Sequence, residues 1–234
     1  MPKLHPTAIA FCLWLAVMMP PAIGQVANDP CSSCHRDLSS VLPKDHPHTQ
    51  ATASGLSGCL TCHSSGQRGE AVSNPFSSRL HLVHVGEKKA PDCTSCHVVI
   101  PGKQFGLIGQ NISWDAPKSD DLAAMNDIAV SWATSSFTDH LHAKASVDCA
   151  GCHGKSVPRL DDTVENQRCL TCHGPIEKLA EKTQNPDFPK RNPHASHLGS
   201  DIACTVCHHA HQASVVYCNN CHRQWTMKIP GAAD

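Results

Sequence analysis

The sequence predicts mostly loops with short α-helices and little or no β-sheet, wrapped around something other than the chain's own side chains. Aromatic residues make up 4% of the 234, with one Tyr and five Phe, too few to build an ordinary core of this size. Fifteen Cys and eighteen His stand in a chain that is otherwise close to neutral in charge. Fourteen of those Cys fall into seven short, identically spaced pairs.

The first 24 residues read as a secretory leader. Lys3 provides a positive start, Thr7 to Met19 is an apolar run, and Ala22-Ile23-Gly24 resembles a small-residue cleavage site. An uncleaved anchor is the alternative, but Pro20 and Pro21 follow the run, which is well short of the roughly 18 residues a span needs. Cys12 would leave with the leader. No later segment reads as a membrane span, so the expectation is a soluble protein exported to the periplasm. Lys and Arg number 19 against 20 Asp and Glu, with no basic stripe, and nothing favours nucleic acid as a partner.

The seven pairs are Cys31/Cys34, Cys59/Cys62, Cys93/Cys96, Cys149/Cys152, Cys169/Cys172, Cys204/Cys207 and Cys218/Cys221. Each second Cys is followed at once by a His: His35, His63, His97, His153, His173, His208 and His222. Cys-x-x-Cys-His is the attachment signature of c-type haem. Two thiols form thioethers with the porphyrin vinyl groups, and the adjacent imidazole swings beneath the ring as the proximal iron ligand. Disulfides would not require a His after each pair. Zinc sites use paired Cys but leave a seven-fold His suffix unexplained. A thioredoxin-like motif would occur once. The reading is a multihaem cytochrome c with seven covalently attached haem c groups, the haem stack taking the place of the missing aromatic core. Haem propionates would make the loaded protein acidic, favouring partners with basic docking surfaces.

Ten further His are candidates for the second axial position: 46, 48, 81, 84, 140, 142, 194, 197, 209 and 211. A haem with imidazole on both faces suits electron transfer, whereas an open position binds substrate or gas. His81/His84, His194/His197 and His208/His211 are His-x-x-His pairs. On a helical turn such residues share a face and cannot easily serve one iron from opposite sides, so each pair should serve two irons. His208 being proximal, His211 should reach another haem.

From about 140 to 230 the sequence resembles the tetrahaem cytochromes of the small tetrahaem cytochrome and flavocytochrome c fumarate reductase family. The resemblance rests on Cys149-Ala-Gly-Cys-His153, Cys169-Leu-Thr-Cys-His173-Gly174, Asn192-Pro-His-Ala-Ser-His197, Cys204-Thr-Val-Cys-His208-His-Ala-His211 and Tyr217-Cys-Asn-Asn-Cys-His222. It implies four bis-His haems, paired His142 with His153, His173 with His194, His197 with His208 and His211 with His222. His140 competes with His142, and His209 has no role in the family. Residues 25–105 look like an incomplete copy of this plan. By analogy His81 would serve the haem of His63 and His84 that of His97. His46 or His48 is left for His35, with His48 ahead because His46 precedes Pro47 and is locally restricted.

The domain expectation is a leader over 1–24, a trihaem segment over 25–105, a haem-free linker over 106–137 and a tetrahaem domain over 138–234. Pro101-Gly102 and the Gly106 to Gly109 region read as turns. Asp120 to Trp132 reads as one short amphipathic helix with Asp121 near its start, Trp114 and Trp132 packing this segment on the haem core. The functional expectation is an electron carrier, not an enzyme. It would take electrons from a membrane quinol-oxidising cytochrome or similar donor and pass them to a periplasmic reductase. Two alternatives stand beside it: a dedicated cytochrome subunit of a separately encoded flavoprotein reductase, and a multihaem reductase with one open haem site.

Overall fold

The computed structural model describes residues 29–46, 55–63, 75–86, 90–188, 190–198, 201–223 and 225–233; the expected leader and His48 lie outside them. The helices are α1 (Gly55–His63), α2 (Pro75–Val85), α3 (Ser119–Thr134), α4 (Thr138–Lys144), α5 (Cys149–His153), α6 (Asn166–His173) and α7 (Ile176–Lys182). One antiparallel sheet, in the order β1 (His97–Ile100), β2 (Gln104–Leu107), β3 (Ser113–Trp114), and several short 3-10 turns complete the regular structure of the described residues. Short helices joined by loops around a common interior, with one small sheet, agree with the fold class that the sequence predicts.

The attachment motifs build their own local structure. In each of them the two Cys and the His sit at i, i+3 and i+4, which a single helical turn places on one face. The turn closes through His35 N–H to Cys31 O (2.9 Å), His208 N–H to Cys204 O (2.9 Å) and His222 N–H to Cys218 O (2.7 Å). The motifs at 59–63, 149–153 and 169–173 are instead the last turns of α1, α5 and α6. Gly154 and Gly174 follow with φ of 77° and 79°, a backbone that glycine adopts freely and that redirects the chain after each motif.

Polar side chains tie these turns together. Asp29 accepts from the N–H groups of Ser32 (3.0 Å) and Leu56 (2.9 Å), joining the first motif to the start of α1. Asn166 donates to Ile202 O (2.9 Å) and accepts from Cys204 N–H (2.7 Å), joining α6 to the sixth motif.

The expected linker helix forms as α3, with Asp120 and Asp121 in its first turn, where carboxylates favour the positive helix end. Asp121 accepts from Lys118 N–H and Leu160 N–H, both at 3.1 Å, pinning the helix start to the C-terminal segment. Trp132 is buried, and its indole donates to Val147 O (3.0 Å). Ser78 of α2, also buried, donates to Ser146 O (3.3 Å), so the N- and C-terminal segments share one interior.

The sheet is small, as the sequence reading allows, and β1 and β2 pair from His97↔Leu107 to Ile100↔Gln104 at the end of the expected trihaem segment, through a turn at Pro101–Lys103. One detail differs from the sequence reading. Gly106 is not a turn residue but lies within β2, where a Cβ would meet Ile112 O at 2.7 Å; glycine is there because β3 approaches too closely for a side chain. Trp114 is more than a third exposed, resting against Phe105 (5.4 Å between centroids) and His97 (6.0 Å).

Candidate haem-binding sites

The apolar core proper is small: among the described residues only Leu56, Trp132, Ala143 and Val157 are buried hydrophobics. Beneath most of the motifs runs a connected cavity of about 3040 Å³, several times the roughly 300–1,000 Å³ of a small-molecule site. Its walls include His35, His81, His84, His97, His142, His153, His173, His194, His208 and His211, with attachment Cys beside them.

Not every expected attachment residue reaches those walls. Cys62 and Cys221 are exposed and lie off the cavity, as does the half-buried Cys59; the other eleven motif Cys line it. The cause is local. Cys62 is the penultimate residue of α1, with its Sγ 3.7 Å from Thr61 Oγ1 at the surface. Cys221 ends the short helical turn at Tyr217–Asn220, its N–H closing on Cys218 O (3.1 Å), and only Cys218 of that motif meets the cavity. His46, His63, His197 and His222 stand outside the cavity with these thiols, which makes the second and seventh motifs the two most peripheral.

The imidazoles, inside the cavity and beside it, meet in pairs. Ring centroids are separated by 6.0 Å in His35–His84, 6.1 Å in His46–His63, 6.1 Å in His81–His97 and 5.9 Å in His142–His173. The remaining separations are 6.4 Å in His153–His211, 6.1 Å in His194–His208 and 5.9 Å in His197–His222. Every motif His has one partner, and no partner is used twice. An imidazole nitrogen binds a first-row transition metal at about 2 Å with its ring centroid roughly 1 Å behind, so two imidazoles facing across one metal lie about 6 Å apart.

The donor set fits a porphyrin better than a bare ion. Among the described residues no group of three or more His, Cys, Asp or Glu could hold a metal. A zinc site needs such a group, usually with thiolates, whereas a pair of facing imidazoles would leave the remaining donors to a macrocycle. Burial, aided by Asp29, pushes Cys31 up to about 11. Burial with Asp148 does the same for Cys149, and burial with Cys169 for Cys204, each to about 11. All fourteen described Cys are free thiols, as thioether formation requires. Burial holds His97, His153, His194 and His208 below the usual imidazole range, which keeps a lone pair available for iron.

A hydrogen bond at Nδ1 aims the opposite nitrogen, Nε2, into the cavity. His81 and His84 bond the carbonyls of Ser77 (2.9 Å) and Leu80 (2.7 Å) within α2, and His142 that of Thr138 (2.8 Å) within α4. His97 faces Gly106 O across the sheet (3.3 Å), so this small sheet positions an imidazole. His194 meets Thr183 Oγ1 (2.9 Å), itself held by the buried Asn192.

His211 is braced differently, by the carboxylate of Asp139 at 3.0 Å. That carboxylate also accepts from Ser131 Oγ (2.8 Å), Ser135 Oγ (3.1 Å) and His140 N–H (2.7 Å). Burial opposes its ionisation, but the bonds from His211, Ser131, His140 and Ser135 together hold the carboxyl below its usual range. Asp139 was not singled out from the sequence; its position within a turn of two His was the available signal.

The partners differ from those implied by resemblance and analogy. His142 faces His173 and not His153, because Asp139 holds His211 in front of His153 and its N–H donates to Ala210 O (3.0 Å), docking that loop on α4. His194 and His197 face His208 and His222 in place of His173 and His208. In the N-terminal segment His81 and His84 face His97 and His35, with His46 opposite His63. Each of the three His-x-x-His pairs sends its two rings to different partners. His140 and His209 stand apart, their Nδ1 atoms on Trp132 O and Ala213 O, both at 2.9 Å.

The family model described as cytochrome c3 matches residues 141–223. The probable fumarate reductase Ifc3 of Shewanella frigidimarina is 44% identical over 75 residues, 32% of this chain and 12% of that protein. The acrylate reductase cytochrome subunit of Shewanella woodyi is 38% identical over 77 residues, 32% of this chain and 62% of that protein. The multiheme cytochrome MtrA of Shewanella baltica is 26% identical over 192 residues, 74% of this chain and 51% of that protein. In each case the match spans less than two thirds of the relative's length. No solved structure matches.

Proposed function

We propose that the chain, whose residues 141–223 match the cytochrome c3 family model, is a multihaem c-type cytochrome that carries seven covalently attached haem c groups and conducts electrons along them without transforming a substrate. The observation that carries this reading is the set of seven imidazole pairs at 5.9–6.4 Å, one for each attachment motif. Bound there, haem supplies a one-electron iron couple whose potential follows its axial ligands and surroundings. The protein's own part is to hold both imidazoles fixed through the Nδ1 bonds described above. With neither ligand changing, little reorganisation accompanies each electron. The assignments are His35/His84, His46/His63, His81/His97, His142/His173, His153/His211, His194/His208 and His197/His222. His48 is the alternative to His46, and their substitution tests the choice. Cys59, Cys62 and Cys221 are assigned as attachment thiols on motif spacing alone, since none of them lines the cavity.

Among the described residues no helix is long and apolar enough to cross a membrane. With the leader-like first 24 residues, this supports a periplasmic carrier between a membrane quinol dehydrogenase, or another cytochrome, and a reductase. The domain plan of a trihaem segment, a linker and a tetrahaem segment belongs to the same proposal. A second reading, a dedicated cytochrome subunit of a separately encoded flavoprotein, is favoured by the relative named as the cytochrome subunit of acrylate reductase. Co-purification with a flavin-containing polypeptide would select it over a free shuttle.

Mass measurement and electron paramagnetic resonance of the oxidised holo-protein test the core of the proposal. Seven attached haems, all low-spin, are expected. Fewer attachments would refute the count of seven, and a high-spin iron that binds cyanide or nitrite would replace the carrier by a reductase with an open site.

A further inference from the structure

Of the fourteen imidazoles assigned above, two have a carboxylate beside Nδ1 among the described ion pairs, and they face each other. Asp139 Oδ2 lies 3.0 Å from His211 Nδ1, and Asp162 Oδ2 lies 3.8 Å from His153 Nδ1. His153 and His211 have nearly parallel rings, 12° apart, with centroids separated by 6.4 Å. His81, His84, His97, His142 and His194 instead meet neutral oxygens at Nδ1: the carbonyls of Ser77, Leu80, Gly106 and Thr138, and the hydroxyl of Thr183.

The difference has an electronic consequence. An imidazole that donates Nδ1–H to a carboxylate is a stronger σ-donor at Nε2 than one that donates to an amide carbonyl, because the bond gives it partial imidazolate character. A stronger donor favours ferric over ferrous iron, and a nearby negative charge acts in the same direction. Asp139 is well placed for both effects. Its side chain is 2% exposed, so water screens it little, and two serines of α3 and its C-terminal cap, Ser131 and Ser135, hold it in place. Asp162 is more exposed and more distant and accepts from Arg159 N–H (2.8 Å), so its share is smaller.

Resting on the bis-His reading above, we infer that Asp139, acting through His211, and Asp162, beside His153, hold the iron between these imidazoles at the lowest potential of the C-terminal four. Reduction there adds one electron to ferric iron, with no bond formed or broken and no proton taken up. Asp139 is a positioning residue that acts through His211, and the segment expected as a haem-free linker takes part through its two serines. The carrier's C-terminal electron path thus has a step from which an electron leaves most readily for either neighbour, a built-in bias in the order of filling.

The test is a redox titration of the full-length, haem-loaded protein, followed by visible absorption and by paramagnetic resonance of the remaining ferric irons. Near-parallel rings give a rhombic low-spin signal, and crossed rings, such as His142/His173 at 90°, a strongly anisotropic one. In the unsubstituted protein the last C-terminal signal to disappear should be rhombic. Asp139→Asn keeps the shape and the serine contacts and should raise that single component by at least a tenfold change in its reduced-to-oxidised ratio, about 59 mV for a one-electron couple. Asp162→Asn, at a half-exposed position that folding should tolerate, should move the same component in the same direction by less.

An unmoved lowest component in both variants would overturn the inference, as would a common shift of all components or a shift downward. Should Asp139→Asn cost a haem, the Asp162→Asn titration decides alone. A protein with fewer than seven low-spin haems would instead refute the ligation reading; seven low-spin haems with no single-component shift refute this inference only.

Discussion

In the N-terminal segment one helix aims two imidazoles by its own backbone, His81 and His84 hanging from carbonyls one turn back in α2. In the C-terminal segment His194 is held by Thr183 and His211 by Asp139, side chains brought in from α7's end and from α4. The first arrangement needs only a helical turn and is local. The second needs Asn192, Ser131 and Ser135 placed across several loops, and it lets the protein give each imidazole a different electrostatic setting. Aromatic packing differs too: His63 stacks on Phe76 at 4.6 Å and His97 on Phe105 at 5.1 Å, while in the C-terminal segment Trp225 meets His222 edge-on at 5.0 Å.

The largest expected effect breaks the local arrangement. Val83 is 59% exposed, so Val83→Pro removes little packing, but proline within α2 costs about 3 kcal/mol and disrupts the backbone that carries His81 and His84. Two low-spin irons should become high-spin, those of His97 and His35, with the C-terminal four unchanged by paramagnetic resonance. Loss of one iron or none would mean that the rings are held by something other than α2. His142→Ala should convert a single iron, that of His173. The His153 signal changing instead would restore the pairing implied by family resemblance.

The choice between His46 and His48 sharpens the comparison at one site. His46→Ala should give one high-spin iron and His48→Ala none. Reversed outcomes would move His46 out of the ligand set. The Nδ1 atom of His46 is buried without a hydrogen-bond partner, unlike the braced imidazoles of α2. Its iron is therefore expected to be the first of the N-terminal three to become high-spin on warming.

How much of this was legible follows from how local each feature is. The attachment motifs are single turns fixed by neighbouring residues, and α3 follows from its own pattern and an acidic first turn. Which motifs sit at the rim, as those of Cys62 and Cys221 do, is set by the packing of whole segments and has no counterpart in the motif itself. The set of second ligands could be proposed by counting imidazoles, but the pairing could not. Positive-φ glycines at 154 and 174 turn the chain away after its motifs, and Asp139 decides which loop docks on α4. The restriction that Pro47 imposes on His46 concerns φ and ψ and does not bar its ring from meeting that of His63. The β1–β2 hairpin was signalled by Val98-Val99-Ile100 before Pro101-Gly102, a β-branched run ahead of a turn, but its strands are only four residues long.

Smaller effects test whether α3 joins the two segments. Trp132 is buried and bonds Val147 O, so Trp132→Phe should cost about 1 kcal/mol for the lost hydrogen bond and Trp132→Ala about 3–5 kcal/mol, measured by denaturant unfolding of the loaded protein. Equal losses for the two variants would show that the indole N–H, not the ring volume, carries the contact.

The smallest effect is a pH dependence at the other end of α3. Hydrogen bonds from the N–H groups of Leu160 and then Lys118 hold the Asp121 carboxyl below its usual range, with burial opposing them. A carboxyl depressed on folding adds stability that is complete above its unfolded value, near 3.9, and disappears as pH falls through the lower folded value. Unfolding midpoints measured from pH 6 downward should therefore decline for the unsubstituted protein partly through Asp121. In Asp121→Asn that share of the decline is absent while the midpoint at pH 6 is already lower, so the two curves converge in acid. Parallel curves would show that the carboxylate's charge contributes nothing to holding α3 against the C-terminal segment.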